Sequence, residues 1–284
     1  MNLFIGSSSI GVFKLFKNNN KVLKVKGATA KGLNTNDNGK NIIKYILNLQ
    51  RPINCIILHF GEVDINFSYY YKMCQLNKKY IDFKLFCNEI FNEYSKFIEQ
   101  ISNLKKCKNI ILKGLYPNPI TDSLKKEQFL NYHVMDNTDC LLESTLNFKF
   151  QEKLRKYYNY LLKKYCIEKN KHNIKNNESI KYFYYDLDKY ILKDGNIVKK
   201  FIDISPVNIH LRWEPMIPYH IKILKDICNL SKTDLIDINK EEKIYMKYKI
   251  NKLKEKRFYK RKSKIILKII NGNIPKKHTK NINK

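Results

Sequence analysis

The sequence predicts an α/β fold, a mainly parallel sheet in a three-layer α/β/α sandwich, followed by a Lys-rich C-terminal extension. Three observations predict it. Short apolar runs alternate with longer amphipathic stretches over the first 230 residues, the pattern of strands buried between layers of helix. One run, Ile53 to Phe60, is apolar at nearly every position, as a central strand covered on both faces must be. Small or polar groups stand where the strands end (Ser8, Gly27, and Gly61 to Asp64), and ligands of open α/β sheets bind beyond those ends.

In chain order, Leu3 to Ile5 is the first strand, closed by the turn Gly6-Ser7-Ser8-Ser9. Val22 to Val25 is the second, ending at Gly27-Ala28-Thr29-Ala30, and the Ile53 to Phe60 strand stops at Gly61. Asp82 to Leu104 carries apolar residues at Leu85, Phe86, Ile90, Phe97, Ile101 and Leu104, a helical stripe. Asn109 to Leu115 is the fourth strand, stopped by Pro117 and Pro119. Residues 118 to 145 are too long for a plain connection; with His133, Asp136 and Asp139 they read as a surface insertion or an active-site lid. A helix over Leu146 to Tyr165 is followed by a polar Lys/Asn loop, 168 to 179, and a fifth strand, Ile180 to Leu187. A third helix, Met216 to Leu230, is entered through Pro215 and Pro218.

Composition sets the outer limits. With 284 residues and 43% hydrophobic content the chain can bury a large core, and no apolar run approaches the roughly 18 residues of a membrane span. The N-terminal Met1 to Gly6 reads as a buried strand and not a signal peptide, so a cytoplasmic or nuclear protein is expected. Seven cysteines without a Cys-x-x-Cys pair speak against a disulfide framework or a zinc cluster, and most are expected to be reduced. The net charge of +29 comes mainly from Lys. A solvated lysine surface accounts for it, as does attraction to nucleic acid or an anionic membrane. About half of that charge lies in residues 240 to 284, with 17 Lys and Arg against three acids, so a domain over 1–235 and a basic extension over 236–284 are expected. Apolar residues such as Ile244, Tyr248 and Leu253 among the lysines suit a helix packed on the domain, a nucleic-acid-binding arm or a membrane-surface helix; the last residues are expected to be disordered.

Four blocks carry candidate chemistry. They are Ser8 on its tight turn, Gly27, the Gly61 to Asp64 turn, and His210 in the stretch Asp203 to Pro215, beside the only tryptophan. In this order they resemble the SGNH (GDSL) hydrolases. That family has a flavodoxin-like fold, a Gly-Asp-Ser block after the first strand and a glycine after the second. A Gly-x-Asn-Asp block follows its third strand, and an Asp-x-x-His block lies near the C-terminus. Gly6, Ser7 and Ser8 match the first block, Gly27 the second, Gly61 and Asp64 the third, and His210 the last. The phrases Lys26 to Leu33 and His59 to Asp64 look like a divergent branch found in large DNA viruses and microbial eukaryotes. The resemblance covers roughly residues 1 to 230.

It implies an esterase or deacetylase acting on a small ester or an acylated glycan without metal or organic cofactor. His210 would deprotonate Ser8, an acyl-enzyme would form, and the Ser8 and Gly27 amides would hold the oxyanion. Three departures are visible: Ser7 replaces the family's Asp at a position able to accept it, whereas Val63 for the oxyanion-binding Asn and Val207 for the Asp before the histidine stand against efficient catalysis. Asp203, seven residues before His210, is the substitute acid expected from the sequence, with Glu62 and Glu214 also near in motif terms. A binding protein on the same scaffold, and a nucleic-acid-associated protein working through its tail, are the competing readings.

Overall fold

The structure is a computed structural model and describes residues 1–16, 19–76, 81–131, 134–135, 138–203 and 210–235. The chain divides into two units, Met1–Ile236 and Asp237–Lys284. The second lies outside the described residues, and so do His133, Asp136 and Val207.

Five strands form the sheet: β1 (Asn2–Gly6), β2 (Asn20–Lys24), β3 (Ile53–His59), β4 (Cys107–Lys113) and β5 (Lys181–Tyr185). All pair in parallel in the order β2-β1-β3-β4-β5, the flavodoxin-like arrangement. The order reverses at β1, and there the crevice for a ligand opens. The helices are α1 (Asp37–Leu47), α2 (Tyr69–Gln75), α3 (Phe83–Asn103), α4 (Asp122–Asn131), α5 (Glu143–Leu146), α6 (Phe148–Lys175), α7 (Asp188–Ile191) and α8 (Ile217–Cys228). A two-stranded hairpin, β6 (Leu192–Lys193) with β7 (Asn196–Ile197), follows α7.

Alternation along the strands divides the core into two layers. Leu3, Ile5, Ile56, Leu58, Ile110 and Leu112 pack with Ile42 and Ile46 of α1, with Ile90, Phe97 and Ile101 of α3, and with Leu154 and Leu162 of α6. The intervening residues face the other way: the Phe4 ring stacks on Phe13 at 4.1 Å, and Phe13 meets His220 of α8 at 4.8 Å. Asparagine and aspartate start the long helices by accepting their free amides. Asp82 takes the Lys84 and Leu85 N–H groups at 2.7 and 3.0 Å, and Asn147 takes that of Phe150 at 2.9 Å.

The loop expected over 168–179 is a correction: α6 runs on to Lys175. Its asparagines bind the exposed edge of β5, with Asn170 giving and taking hydrogen bonds at Tyr182 (2.7 and 2.8 Å) and Asn173 donating to Ile180 O at 2.7 Å. Polar residues that look like loop therefore cover unpaired strand backbone. Residues 118–145, read as an insertion or lid, contain α4 and the start of α5. Five of the seven cysteines are free and buried, but Cys74 and Cys140 are joined in a disulfide, the Cα atoms 5.3 Å apart. The pair is 66 residues apart in sequence, so no spacing motif marks it. Among the described residues, no helix is long and apolar enough to cross a membrane.

Candidate active site

Ser8 stands at the crevice because β1 ends abruptly. Gly6 lies opposite His59 of β3, where a Cβ would come within 2.5 Å of the His59 carbonyl, so only glycine fits. The Ser7 N–H donates to that carbonyl at 3.0 Å, and the chain turns into a 3₁₀ helix, Ser8–Leu15. Among the described residues the Ser8 amide has no backbone acceptor. Gly27, just beyond β2, has a positive φ of 68°, and a Cβ there would meet nothing. Its amide, too, has no backbone acceptor among the described residues.

Asp64 explains how the Gly27 segment is held. Its carboxylate is buried and accepts the Ala30 amide at 2.6 Å and that of Lys31 at 3.5 Å, tying the β2 loop to the end of β3. Burial pushes the Asp64 carboxyl up to about 6 even though those amides favour its charge. Gly61 makes the turn between them, with φ 111° and the Tyr158 ring where a side chain would be.

Ser8, Gly27, Glu62, Val63 and His210 all line one cleft of about 610 Å³. Phe67, Tyr71 and Val134 make its apolar wall, and Lys24 and Lys26 stand at its β2 side. His210 is positioned through its C-terminal neighbour: the Arg212 amide donates to Phe201 O at 2.8 Å. Trp213 packs over Gly11, where a Cβ would come within 2.7 Å of the indole, and so clamps the histidine segment to the serine turn. The His210 Nδ1 atom lies 3.2 Å from Oγ of buried Ser9, a partner the sequence reading did not single out. Asp203, two residues beyond Phe201, is buried.

Glu62 is the acid that the cleft does contain. One oxygen accepts the Ser7 hydroxyl at 2.9 Å and the other lies 3.2 Å from His59 Nε2. Burial opposes its charge, but His59, His210 and Lys113 outweigh it and hold the carboxyl well below the usual range. His59 is itself buried; burial and Lys113 lower its pKa, while Glu62 and the Lys113 carbonyl, 3.2 Å from Nδ1, pull the other way. Behind it, Lys113 Nζ lies 3.3 Å from the imidazole and 3.4 Å from the Tyr116 ring centre. Tyr116 continues to His220 at 2.8 Å, and His220 to Tyr185 at 3.2 Å. This buried polar column has no motif, because its members come from β3, β4, β5 and α8. Among the described residues, no three His, Cys, Asp or Glu side chains form a group able to hold a metal ion.

No protein-family model matches the chain, and no curated protein matches it. Solved structures do. A Streptococcus pneumonia protein provisionally named a platelet activating factor aligns at 15% identity over 79% of this chain and 82% of its own, with a TM-score of 0.41. The SGNH-hydrolase family esterase AlinE4 aligns at 13% identity over 79% of this chain and 92% of its own, with a TM-score of 0.33.

Proposed function

We propose that the chain is an SGNH-like serine hydrolase that cleaves esters through Ser8 and His210. The observation carrying this reading is that Ser8 and Gly27 meet His210, some 200 residues further along the chain, in one cleft at the switch point of the sheet. His210 Nδ1 lies 3.2 Å from the Ser9 hydroxyl, and in the tautomer that carries its proton on Nδ1 the Nε2 lone pair is the base for the Ser8 proton. The Ser8 oxygen bonds to the ester carbon, and the amides of Ser8 and Gly27, which have no backbone acceptor among the described residues, stabilise the oxyanion. The imidazolium returns its proton to the departing alcohol, and water deprotonated by the same ring releases the acid.

Ser9 lies against His210 Nδ1, and the anionic Glu62 favours the imidazolium. Asp203 remains the acid expected from the sequence to join them. A fluorophosphonate probe tests the reading. Labelling is expected in the wild type, absent in Ser8→Ala, and reduced about 10-fold or more in His210→Ala and Ser9→Ala. A folded wild-type protein that takes no label would instead favour a binding role, for which Val63, an apolar residue lining the cleft where the family has its amide donor, is the specific support.

A further inference from the structure

We propose that Lys24 and Lys26 form an anion-binding subsite of the Ser8 cleft, so that its substrate is an ester bearing a phosphate or carboxylate beside an apolar group. The proposal rests on the hydrolase reading for the word substrate, and on the cleft alone for the binding site.

The cleft is divided in charge. Phe67, Tyr71 and Val134 offer an apolar wall, whereas the end of β2 and its turn place Lys24 and Lys26 beside Gly27. Lys14, from the 3₁₀ helix that follows Ser8, adds its charge: burial, then Lys14 and Lys26, lower the Lys24 ammonium from its ordinary value, against the pull of Glu62. Among the described residues none of these three lysines has a carboxylate partner. Glu62 is the one acid among the described residues of the cleft, and both its oxygens are taken up by Ser7 and His59. Like charges held together without a counterion raise the energy of the empty cleft, and a ligand anion relieves it. A neutral acyl glycan would leave that repulsion in place. An amphiphilic anion answers both walls, its oxyanion beside the lysines and its carbon chain against the aromatic side.

The test uses the full chain carrying Ser8→Ala, titrated calorimetrically with octyl phosphate, nonanoate and octyl glucoside. Octyl phosphate or nonanoate is expected to bind at least about 10-fold more tightly than the glucoside, and the stronger of the two identifies the anion. Adding Lys24→Gln and Lys26→Gln should cut that preference to less than about 3-fold and leave glucoside binding unchanged, and 0.5 M salt should weaken only the anions. Equal binding of anion and glucoside, or a preference that survives both substitutions, overturns the proposal. Turnover of 4-nitrophenyl butyrate by the unmodified chain is the separate readout. Its absence together with retained anion preference would sink the hydrolase reading and leave the subsite standing.

Discussion

Among the described residues two lysines lie wholly inside the molecule, and their surroundings treat the charge differently. Lys113 has the His59 imidazole, the Gly114 carbonyl and the Tyr116 ring within 3.4 Å. Lys125 of α4 has no hydrogen-bond partner among the described residues, and the nearest π faces, those of Phe67, Tyr70 and Phe129, lie 5.3 to 5.6 Å away. Burial lowers both amines to about 7. The folded pKa lies below the unfolded one, so between about pH 7 and pH 10.5 the unfolded chain binds more protons. Stability therefore rises with pH across that window, by up to about 1.4 kcal/mol per pH unit for each group, and the full cost is carried below pH 7. Lys125→Met should raise stability by roughly 2 to 4 kcal/mol at pH 7, an advantage that shrinks toward pH 10. Urea unfolding at the two pH values checks this, and equal or lower stability of the variant at pH 7 would refute it.

Among the elements, the segment between α4 and α5 borders the cleft through Val134. The Cys74–Cys140 bond joins the end of α2 to this segment and closes a loop of 66 residues. A cross-link over such a span removes chain entropy from the unfolded state worth about 4 kcal/mol. Cys140→Ser is expected to lower stability by about that amount, with hydrogen exchange rising first in 122–146 and little in β1 or β3. An unchanged melting curve would argue against the bond in solution. The histidine segment is held by different means, the Phe201–Arg212 backbone bond and Trp213 on Gly11, neither of which depends on the disulfide.

For the whole molecule, charge and core are separate matters. The described core closes within residues 1–235, with Leu235 pairing back to Phe16, while about half the net charge lies beyond residue 239. A chain ended at Leu235 is expected to keep the circular dichroism and cooperative melt of the full protein. It should lose most of any salt-dependent shift of duplex DNA that the full chain shows. Equal DNA shifts by both chains would remove the nucleic-acid reading of the extension.

The sequence by itself determined the five strands, the long helices over 83–103 and 217–228, and the turn that exposes Ser8. Each of these is a local matter: an apolar run, a helical stripe, or a glycine where no side chain fits. It missed α1, whose few apolar residues form a narrow stripe, and it stopped α6 a helix end too early, because Asn170 and Asn173 reveal their role only when β5 lies beside them. It also named Ser8, Gly27 and His210 as one site, although it had no means of bringing them together. Tertiary structure alone decided what surrounds the histidine. Ser9 reaches its Nδ1, and Glu62 brings a negative charge to the cleft. Those relations depend on where β1, β3 and the returning 201–212 loop end in space, over separations of up to 201 residues that no local pattern encodes.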